Sequence, residues 1–202
     1  FVGSNGRGLY RIVRGQVEAL GNPGGSPFVN YVTALPDGRI LVSSNAGAFW
    51  WSEAGYAPLH PALQRRQVAW AALDADGSLW MRTVGDRIER IVDGQLEERT
   101  QPGLIPRWGF AAREGGIWIS GAGGVYRARG ARIDAVATAA SGIREPACTA
   151  EDERGVLWCV GHGGLARVEG ATVQTLRFQE PPDGLAILTL QRDRDGHLWL
   201  AT

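Results

Sequence analysis

The chain contains 202 residues, which is enough to bury a sizeable apolar core. Its 21 basic and 21 acidic residues give a net charge of zero, so the broad positive field of most nucleic-acid-binding proteins is absent. No run approaches the roughly 18 apolar residues that a membrane span needs, and no basic-then-apolar leader is present. We therefore expect no nucleic-acid partner and no spanning helix within these residues.

A short phrase recurs along the chain: a turn ending in Gly, then an aliphatic residue, then a bulky apolar residue that we call the anchor. The anchors fall at positions 1, 41, 80, 118, 158 and 199, so successive copies are 40, 39, 38, 40 and 41 residues apart. A period near 40 built from strand-like runs is typical of a β-propeller. The phrase therefore predicts the fold class directly.

Each period holds four strand-like runs separated by turns. In the third period these runs cover residues 68–73, 79–83, 87–92 and 95–99, and no stretch keeps helical spacing over three turns. We predict an all-β propeller of about five four-stranded antiparallel blades over residues 1–202, with no second domain. The phrase at Trp199 repeats the register of Phe1, so we interpret the chain as an open arc from a larger ring of seven or eight blades.

The tryptophan anchors are interpreted as packing residues. A short sheet buries too little apolar surface to be stable alone, so blades must stack, and a large indole between two blades would contribute much of the buried area. We assign this structural role to four residues: Trp80, Trp118, Trp158 and Trp199.

The phrases resemble the two-component regulator propeller repeat, an Asp-x-x-Gly-x-Leu-Trp segment followed by Gly-Gly-Leu-x-Arg. The matching segments are DGSLW at 76–80, GGLAR at 163–167 and GLYR at 8–11. Three departures occur: Trp51 stands where Arg is usual, Leu41 replaces Trp, and Asp86-Arg87 replaces Gly-Gly. The resemblance covers essentially the whole chain, because five periods follow in register.

The resemblance implies a function and a location. It implies the extracytoplasmic, periplasmic sensor of a bacterial transmembrane receptor whose kinase, cyclase or DNA-binding output lies elsewhere in a longer protein. The chain opens at Phe1 in mid-phrase, in agreement with such an excerpt. We expect a non-catalytic, ligand-binding propeller with an anionic or saccharide ligand, and a homodimer formed through the full receptor. Two alternatives stay open, a lyase or hydrolase similar to streptogramin lyase and a plain protein-interaction propeller.

The sequence carries no pattern for a metal or cofactor. Asp74 to Gly77 and Asp193 to Gly196 resemble the start of a calcium loop but lead straight into an apolar strand, so turn chemistry explains them better. The three histidines, His60, His162 and His197, have no ligand spacing. We expect no cofactor and no catalytic residue.

Cys148 and Cys159 are placed symmetrically about the turn at 151–155, which predicts that they face each other across a hairpin. A disulfide between them and two buried free thiols are both open at this point.

The best candidates for ligand contact lie in loops that would share one face of the ring. In a four-stranded meander the second-to-third-strand loops and the blade-to-blade connections lie at the same edge. Converging guanidinium groups there can hold a carboxylate or sulfate in two hydrogen bonds, whereas solvated loop charges are the plainer explanation. The candidates at this edge are Arg7, Arg66, Arg107, Trp108, Arg144 and His162.

Overall fold

The computed structural model consists almost entirely of antiparallel β-sheet. It describes residues 1–35, 37–138, 146, 148–161, 164–170, 172–176, 189–193, 195 and 197–201. Helical structure in these ranges is confined to two 3-10 turns, Pro23–Gly25 and Pro61–Leu63. Within the same ranges no helix is long and apolar enough to cross a membrane.

The strands form six sheets in chain order, and within each sheet consecutive strands are neighbours. Sheet 1 has three strands, β1 (Val2–Gly3), β2 (Leu9–Val13) and β3 (Gln16–Gly21). Sheets 2 and 3 have four strands each: β4 (Val29–Ala34), β5 (Ile40–Ser44), β6 (Gly47–Ser52), β7 (Gly55–Pro58), then β8 (Val68–Leu73), β9 (Leu79–Thr83), β10 (Arg87–Val92), β11 (Gln95–Glu98).

Sheets 4 and 5 also have four strands, and sheet 6 has two. Their strands are β12 (Ile105–Ala111), β13 (Ile117–Ala122), β14 (Gly124–Arg129), β15 (Arg132–Thr138), β16 (Cys148–Glu151), β17 (Leu157–Gly161), β18 (Gly164–Glu169), β19 (Thr172–Leu176), β20 (Thr189–Arg192) and β21 (Leu198–Ala201). The prediction of an all-β fold with about five blades is confirmed, and the described residues contain almost no helix. In the third period the predicted strands differ from the observed ones by a single residue.

The described residues cluster into two compact units. One contains residues 1–73 and 77–99, and the other contains residues 74–76 and 100–202. Within each unit the apolar core lies between adjacent sheets. Leu9 of sheet 1 shares a cluster with Val42 of sheet 2, and Leu41 of sheet 2 shares one with Met81 of sheet 3.

In sheets 2, 3 and 5 a row of three apolar residues crosses the sheet and packs toward the preceding sheet. One residue comes from each of three successive strands, and the last two are register partners. Each row lies inside one core cluster: Val42, Trp51 and Tyr56 in sheet 2, Met81, Ile91 and Leu96 in sheet 3, and Cys159, Val168 and Val173 in sheet 5. We call this set the cross-strand row.

The turns before four of the anchors share one backbone hydrogen bond, which runs from Leu35 to Arg39, from Ala112 to Gly116, from Asp152 to Val156 and from Asp193 to His197. Asp152 illustrates it: its backbone N–H donates to the Val156 carbonyl at 2.9 Å, and the Gly155 N–H donates to the Asp152 carbonyl at 3.1 Å. The Asp152 carboxylate accepts the N–H groups of Arg154 and Val156 at 2.9 and 3.0 Å, and its other oxygen accepts the Trp158 indole N–H at 3.2 Å. A single carboxylate thus fixes both the turn and the anchor.

Sheet 4 has no such carboxylate, because Ala112 occupies the equivalent position. The Trp118 indole nitrogen is buried there without a hydrogen-bond partner. The turn keeps its backbone bonds and takes its carboxylates from elsewhere in the same unit: Gly116 N–H donates to Asp74 at 2.5 Å, and Arg113 N–H donates to Glu151 at 2.7 Å.

Arginine faces the tryptophan anchor in three sheets. The register partners are Trp80 with Arg90, Trp118 with Arg127, and Trp158 with Arg167. The Arg127 guanidinium lies 4.3 Å from the Trp118 ring centroid, and burial lowers the pKa of this arginine. In sheet 2 the register partner of Leu41 is Trp50. The prediction that Trp51 stands at the arginine position was therefore wrong by one residue, because Trp50 occupies it.

Replacing Asp152 by Ala tests the turn carboxylate. We expect a loss of about 1–3 kcal/mol in the free energy of unfolding, because two backbone N–H groups and one indole lose their acceptor. Asp152→Asn should lose less, since it keeps an acceptor for the backbone. The measurement is urea denaturation followed by circular dichroism.

The matched control is Asp134→Ala, which removes an exposed ion pair with Arg132 and should cost about 0.5 kcal/mol or less. Equal losses for Asp152→Ala and the control would contradict a special role for the turn carboxylate.

Candidate functional site

Four of the six predicted ligand residues lie in the described part of the chain: Arg7, Arg66, Arg107 and Trp108. Arg144 and His162 lie outside it. Arg7 and Arg66 belong to the first compact unit, and Arg107 and Trp108 belong to the second.

Arg66 forms an ion pair with a buried carboxylate. Its Nη2 donates to both oxygens of Glu89, at 2.8 and 2.9 Å, and lies 3.4 Å from the Thr83 hydroxyl. The Glu89 side chain is only 6% exposed, so its charge depends on this guanidinium for compensation. Arg66 therefore has a structural task in the fold whether or not it also contacts a ligand.

The chain reaches Arg66 through a tightly held turn. His60 Nδ1 accepts the Ala62 N–H at 3.2 Å and starts the 3-10 turn at Pro61–Leu63. Arg65 then adopts a left-handed backbone with φ of 60°, and its N–H donates to the Ala46 carbonyl at 2.8 Å. A positive φ at a bulky residue is strained, so the surrounding hydrogen bonds have to hold it.

Arg7 lies in an exposed turn between β1 and β2. The Ser4 hydroxyl accepts the Arg7 N–H at 2.9 Å and donates to the Gly8 carbonyl at 2.9 Å. Ser44 repeats this arrangement one sheet later, accepting from Ala46 and donating to Gly47. The turn backbone is therefore a repeated structural element that presents the Arg7 side chain to solvent.

Arg107 occupies a β-bulge on the first strand of sheet 4. The register shifts between Pro106, which faces Gly121, and Trp108, which faces Ser120, so Arg107 is the extra residue. Bulges re-aim side chains and are over-represented next to active and binding sites. Trp108 is 44% exposed, unlike the fully buried Trp70 and Trp80. A guanidinium and an accessible indole are thus adjacent on one strand.

The same bulge recurs at the first strand of two other sheets. In sheet 2 it lies between Val29 and Tyr31, and in sheet 3 between Val68 and Trp70. The extra residue is Asn30 in one and Ala69 in the other. Asn30 donates to the Val68 carbonyl at 2.9 Å and to Asn45 Oδ1 at 3.0 Å. The bulge is therefore a fixed backbone feature that carries a different side chain in each sheet.

Asp193, Asp195 and His197 lie close together before the last anchor. Their ligand atoms are all within 4.8 Å of one another. Asp193 accepts the N–H groups of Asp195 and His197 at 3.0 and 2.9 Å, and its second oxygen accepts the Trp199 indole N–H at 2.8 Å. These are the bonds of the Asp152 turn, and the indole hydrogen bond is the main cause that lowers the pKa of Asp193 to about 2.

The two cysteines are not register partners. The ladder pairs Cys148 with Val160 and Thr149 with Cys159, because the turn between Glu151 and Leu157 holds five residues. The prediction that the two cysteines face each other was therefore wrong by one residue. Cys159 is a free, buried cysteine, and burial raises its pKa to about 12.

Comparisons with known proteins show the class of fold. No family model matches the chain, and no curated protein sequence matches it. The structure is similar to the extracellular domain of a protein assigned to the hybrid two-component systems of B. thetaiotaomicron, with a TM-score of 0.75 and 16% identity. The match covers 99% of this chain and 30% of that domain.

Two groups of enzymes are similar as well. Virginiamycin B lyase from Staphylococcus aureus, solved with quinupristin, has a TM-score of 0.71 and 19% identity over 93% of this chain and 68% of the lyase. In another structure of that lyase the chain spans 62% of its length. A gluconolactonase from Xanthomonas campestris has a TM-score of 0.57 and 21% identity. The match covers 82% of this chain and 66% of the gluconolactonase. At these identities the likeness establishes a β-propeller and not an activity.

Replacing Arg66 by Met tests its role as a counter-ion. The variant should lose up to about 3 kcal/mol of stability, because the buried Glu89 carboxylate would stay uncompensated. The double variant Arg66→Met, Glu89→Met should regain most of this loss, since both charges are then gone. Denaturation midpoints of the three proteins give the comparison, with Arg132→Met as the exposed control. A double variant no more stable than the single one would contradict the ion-pair role.

The Asp193 turn predicts a pH dependence. The folded-state pKa of about 2 lies below the ordinary value of this carboxyl, so its stabilising effect is present above about pH 4 and is lost as the pH falls through 2. Carboxyl titration by NMR should therefore find Asp193 titrating near pH 2. Trp199→Phe should move its pKa upward toward the ordinary value, because the indole donor is removed. An unchanged pKa in that variant would show that the backbone N–H groups and the His197 imidazole lower it without the indole.

Proposed function

We propose that the chain is a non-catalytic, ligand-binding sensor propeller of a bacterial transmembrane receptor, located outside the cytoplasm. The observation that carries this proposal is the bulge at Arg107, which directly precedes the exposed Trp108 on the first strand of sheet 4. The likeness to the extracellular domain of the two-component system protein, over nearly the whole chain, supports it. So does the resemblance of its phrases to the two-component regulator propeller repeat.

The chemistry of this pair favours a small anionic or saccharide ligand. A guanidinium donates two parallel hydrogen bonds to a carboxylate or sulfate, and an exposed indole face stacks on the apolar side of a sugar ring. The bulge backbone is the same in sheets 2, 3 and 4, whereas its extra residue differs from sheet to sheet. The side chain at this position can therefore change, and ligand specificity with it, without a change of fold. Signalling would then follow from a difference in ligand affinity between two receptor states.

A ligand screen on the purified chain tests the proposal. A library of sugars, sugar acids and small carboxylates is tested by thermal shift, and hits are measured by calorimetry. A native-state ligand at about 100 times its Kd adds roughly 2.7 kcal/mol of stability, which raises the unfolding temperature visibly. Arg107→Ala and Trp108→Ala should each weaken binding of an acidic sugar at least about tenfold, and Arg132→Ala should not.

The alternative is an enzyme, and the likeness to virginiamycin B lyase and to gluconolactonase favours it as the second candidate. Incubation of the chain with quinupristin and with a gluconolactone, followed by mass spectrometry, separates the two. Turnover of either compound would overturn the non-catalytic proposal. Binding without turnover, lost in the Trp108→Ala variant, would support it.

A further inference from the structure

Trp108 lies on the side of sheet 4 that packs against sheet 5. Side chains two residues apart on a strand point to the same side of a sheet, so Trp108 and Phe110 share a side. Phe110 packs on a cluster in which Val125 of sheet 4 meets Leu157 and Cys159 of sheet 5. Both sheets belong to the same compact unit. The indole therefore lies on the contact surface between these two sheets, which we call the junction of sheets 4 and 5.

A line of register partners runs from Trp108 into this junction. Successive strands of sheet 4 contribute Trp108, Ser120, Val125 and Ala137. Trp108 is 44% exposed, whereas Ser120 and Val125 are 0% exposed and Ala137 is 1% exposed. The line is thus buried on three strands and open only on the first, so the indole lies at the rim of the junction.

The rim borders an opening between two first strands. The first strands of sheets 2 and 3, β4 and β8, lie close together, and so do β16 and β20 of sheets 5 and 6. Among the strands that the structure describes, β12 of sheet 4 and β16 of sheet 5 approach each other much less closely. Trp108 belongs to β12, so its exposed indole lies beside the wider gap.

The sheet 5 side of the junction carries a small residue where other sheets carry large ones. Ala166 is the register partner of Cys159 and belongs to the same cluster. The residues at the equivalent position of sheets 2, 3 and 4 are Phe49, Glu89 and Tyr126. Sheet 5 therefore contributes less side-chain volume at this position, which leaves more space for a ligand at the rim.

We propose that the ligand of this site is a sugar acid, which binds at the rim and holds sheets 4 and 5 together. The inference rests on the proposed sensor function, because it concerns the same two residues, Arg107 and Trp108. The sugar ring stacks on the indole, and the carboxylate accepts hydrogen bonds from the guanidinium that directly precedes it on the bulge. One molecule thus uses both chemistries that the site offers.

The position of the site at a junction gives binding a structural consequence. A ligand between β12 and β16 contacts both sheets only while they are packed together, so it has a higher affinity for the closed junction than for the separated one. A difference in affinity of this kind shifts an equilibrium between two states. The signal is therefore a change in how often one junction opens, without a rearrangement inside either sheet.

Hydrogen exchange followed by mass spectrometry, with glucuronate as the probe, tests this proposal. At about 100 times the Kd measured by calorimetry, exchange in β13 and β17 should slow up to about 100-fold, because only the closed junction binds the probe. The matched controls are β5 and β9, the equivalent strands of sheets 2 and 3, whose exchange should not change. Equal slowing in all four strands would indicate general stabilisation and would overturn the coupling to this junction.

Two further ligands test the chemical class. Glucose lacks the carboxylate and acetate lacks the ring, so each should bind at least about tenfold more weakly than glucuronate. Equal affinity for glucose or for acetate would overturn the use of both groups. A chain that does not bind glucuronate overturns the sugar-acid proposal, whereas a different ligand found in the screen would still support the sensor function.

Variants connect the effect to the indole. Trp108→Ala should remove the slowing in β13 and β17, and Tyr31→Ala, at the equivalent position of sheet 2, should keep it. Arg107→Ala replaces Trp108→Ala if circular dichroism shows that the latter is unfolded, and the same loss is expected of it. Glucuronate that binds through Trp108 without slowing exchange in these strands overturns the coupling to the junction and leaves the sensor function standing.

Discussion

Stacking between neighbouring sheets is the interaction on which the rest of this structure depends. The strands are four to seven residues long in the four-stranded sheets, and sheets this small bury too little apolar surface to be stable alone. The cross-strand row buries apolar surface against the preceding sheet, and the anchor buries it against the following sheet. Met81 shows the result, because it is completely buried between its own sheet and Leu41 of the sheet before it.

The polar groups of the turns have a second role, which is to fix the anchor. Asp152 and Asp193 each use one oxygen for the turn backbone and the other for the indole that follows. In sheets 3 and 4 the buried indole nitrogens of Trp80 and Trp118 have no hydrogen-bond partner, although sheet 3 keeps a carboxylate, Asp74, at the turn position; an arginine stacks on each of the two rings. The repeat therefore tolerates loss of a hydrogen bond more readily than loss of the aromatic surface, as expected if burial dominates.

The sequence predicted what depends on periodicity and missed what depends on register. Period, strand order and the near-absence of helix in the described residues followed from the spacing of glycines and anchors, and the strands of sheet 3 were placed almost to the residue. A turn of five residues instead of four moved Cys159 out of register with Cys148, and nothing in the local sequence distinguishes the two lengths. The bulge at Arg107 and the ion pair between Arg66 and Glu89 join residues across strands, so neither has a signal along the chain.

The buried Cys159 has a consequence for how the sheet stack can be studied. Its thiol lies in the interface between sheets 4 and 5, at a position filled by Val42 and Met81 in other sheets, and burial raises its pKa to about 12. The reactive thiolate is therefore almost absent at neutral pH, and alkylating reagents reach the sulfur only when the two sheets separate. The rate at which Cys159 is modified then measures the free energy of separating sheets 4 and 5 while the rest of the protein stays folded.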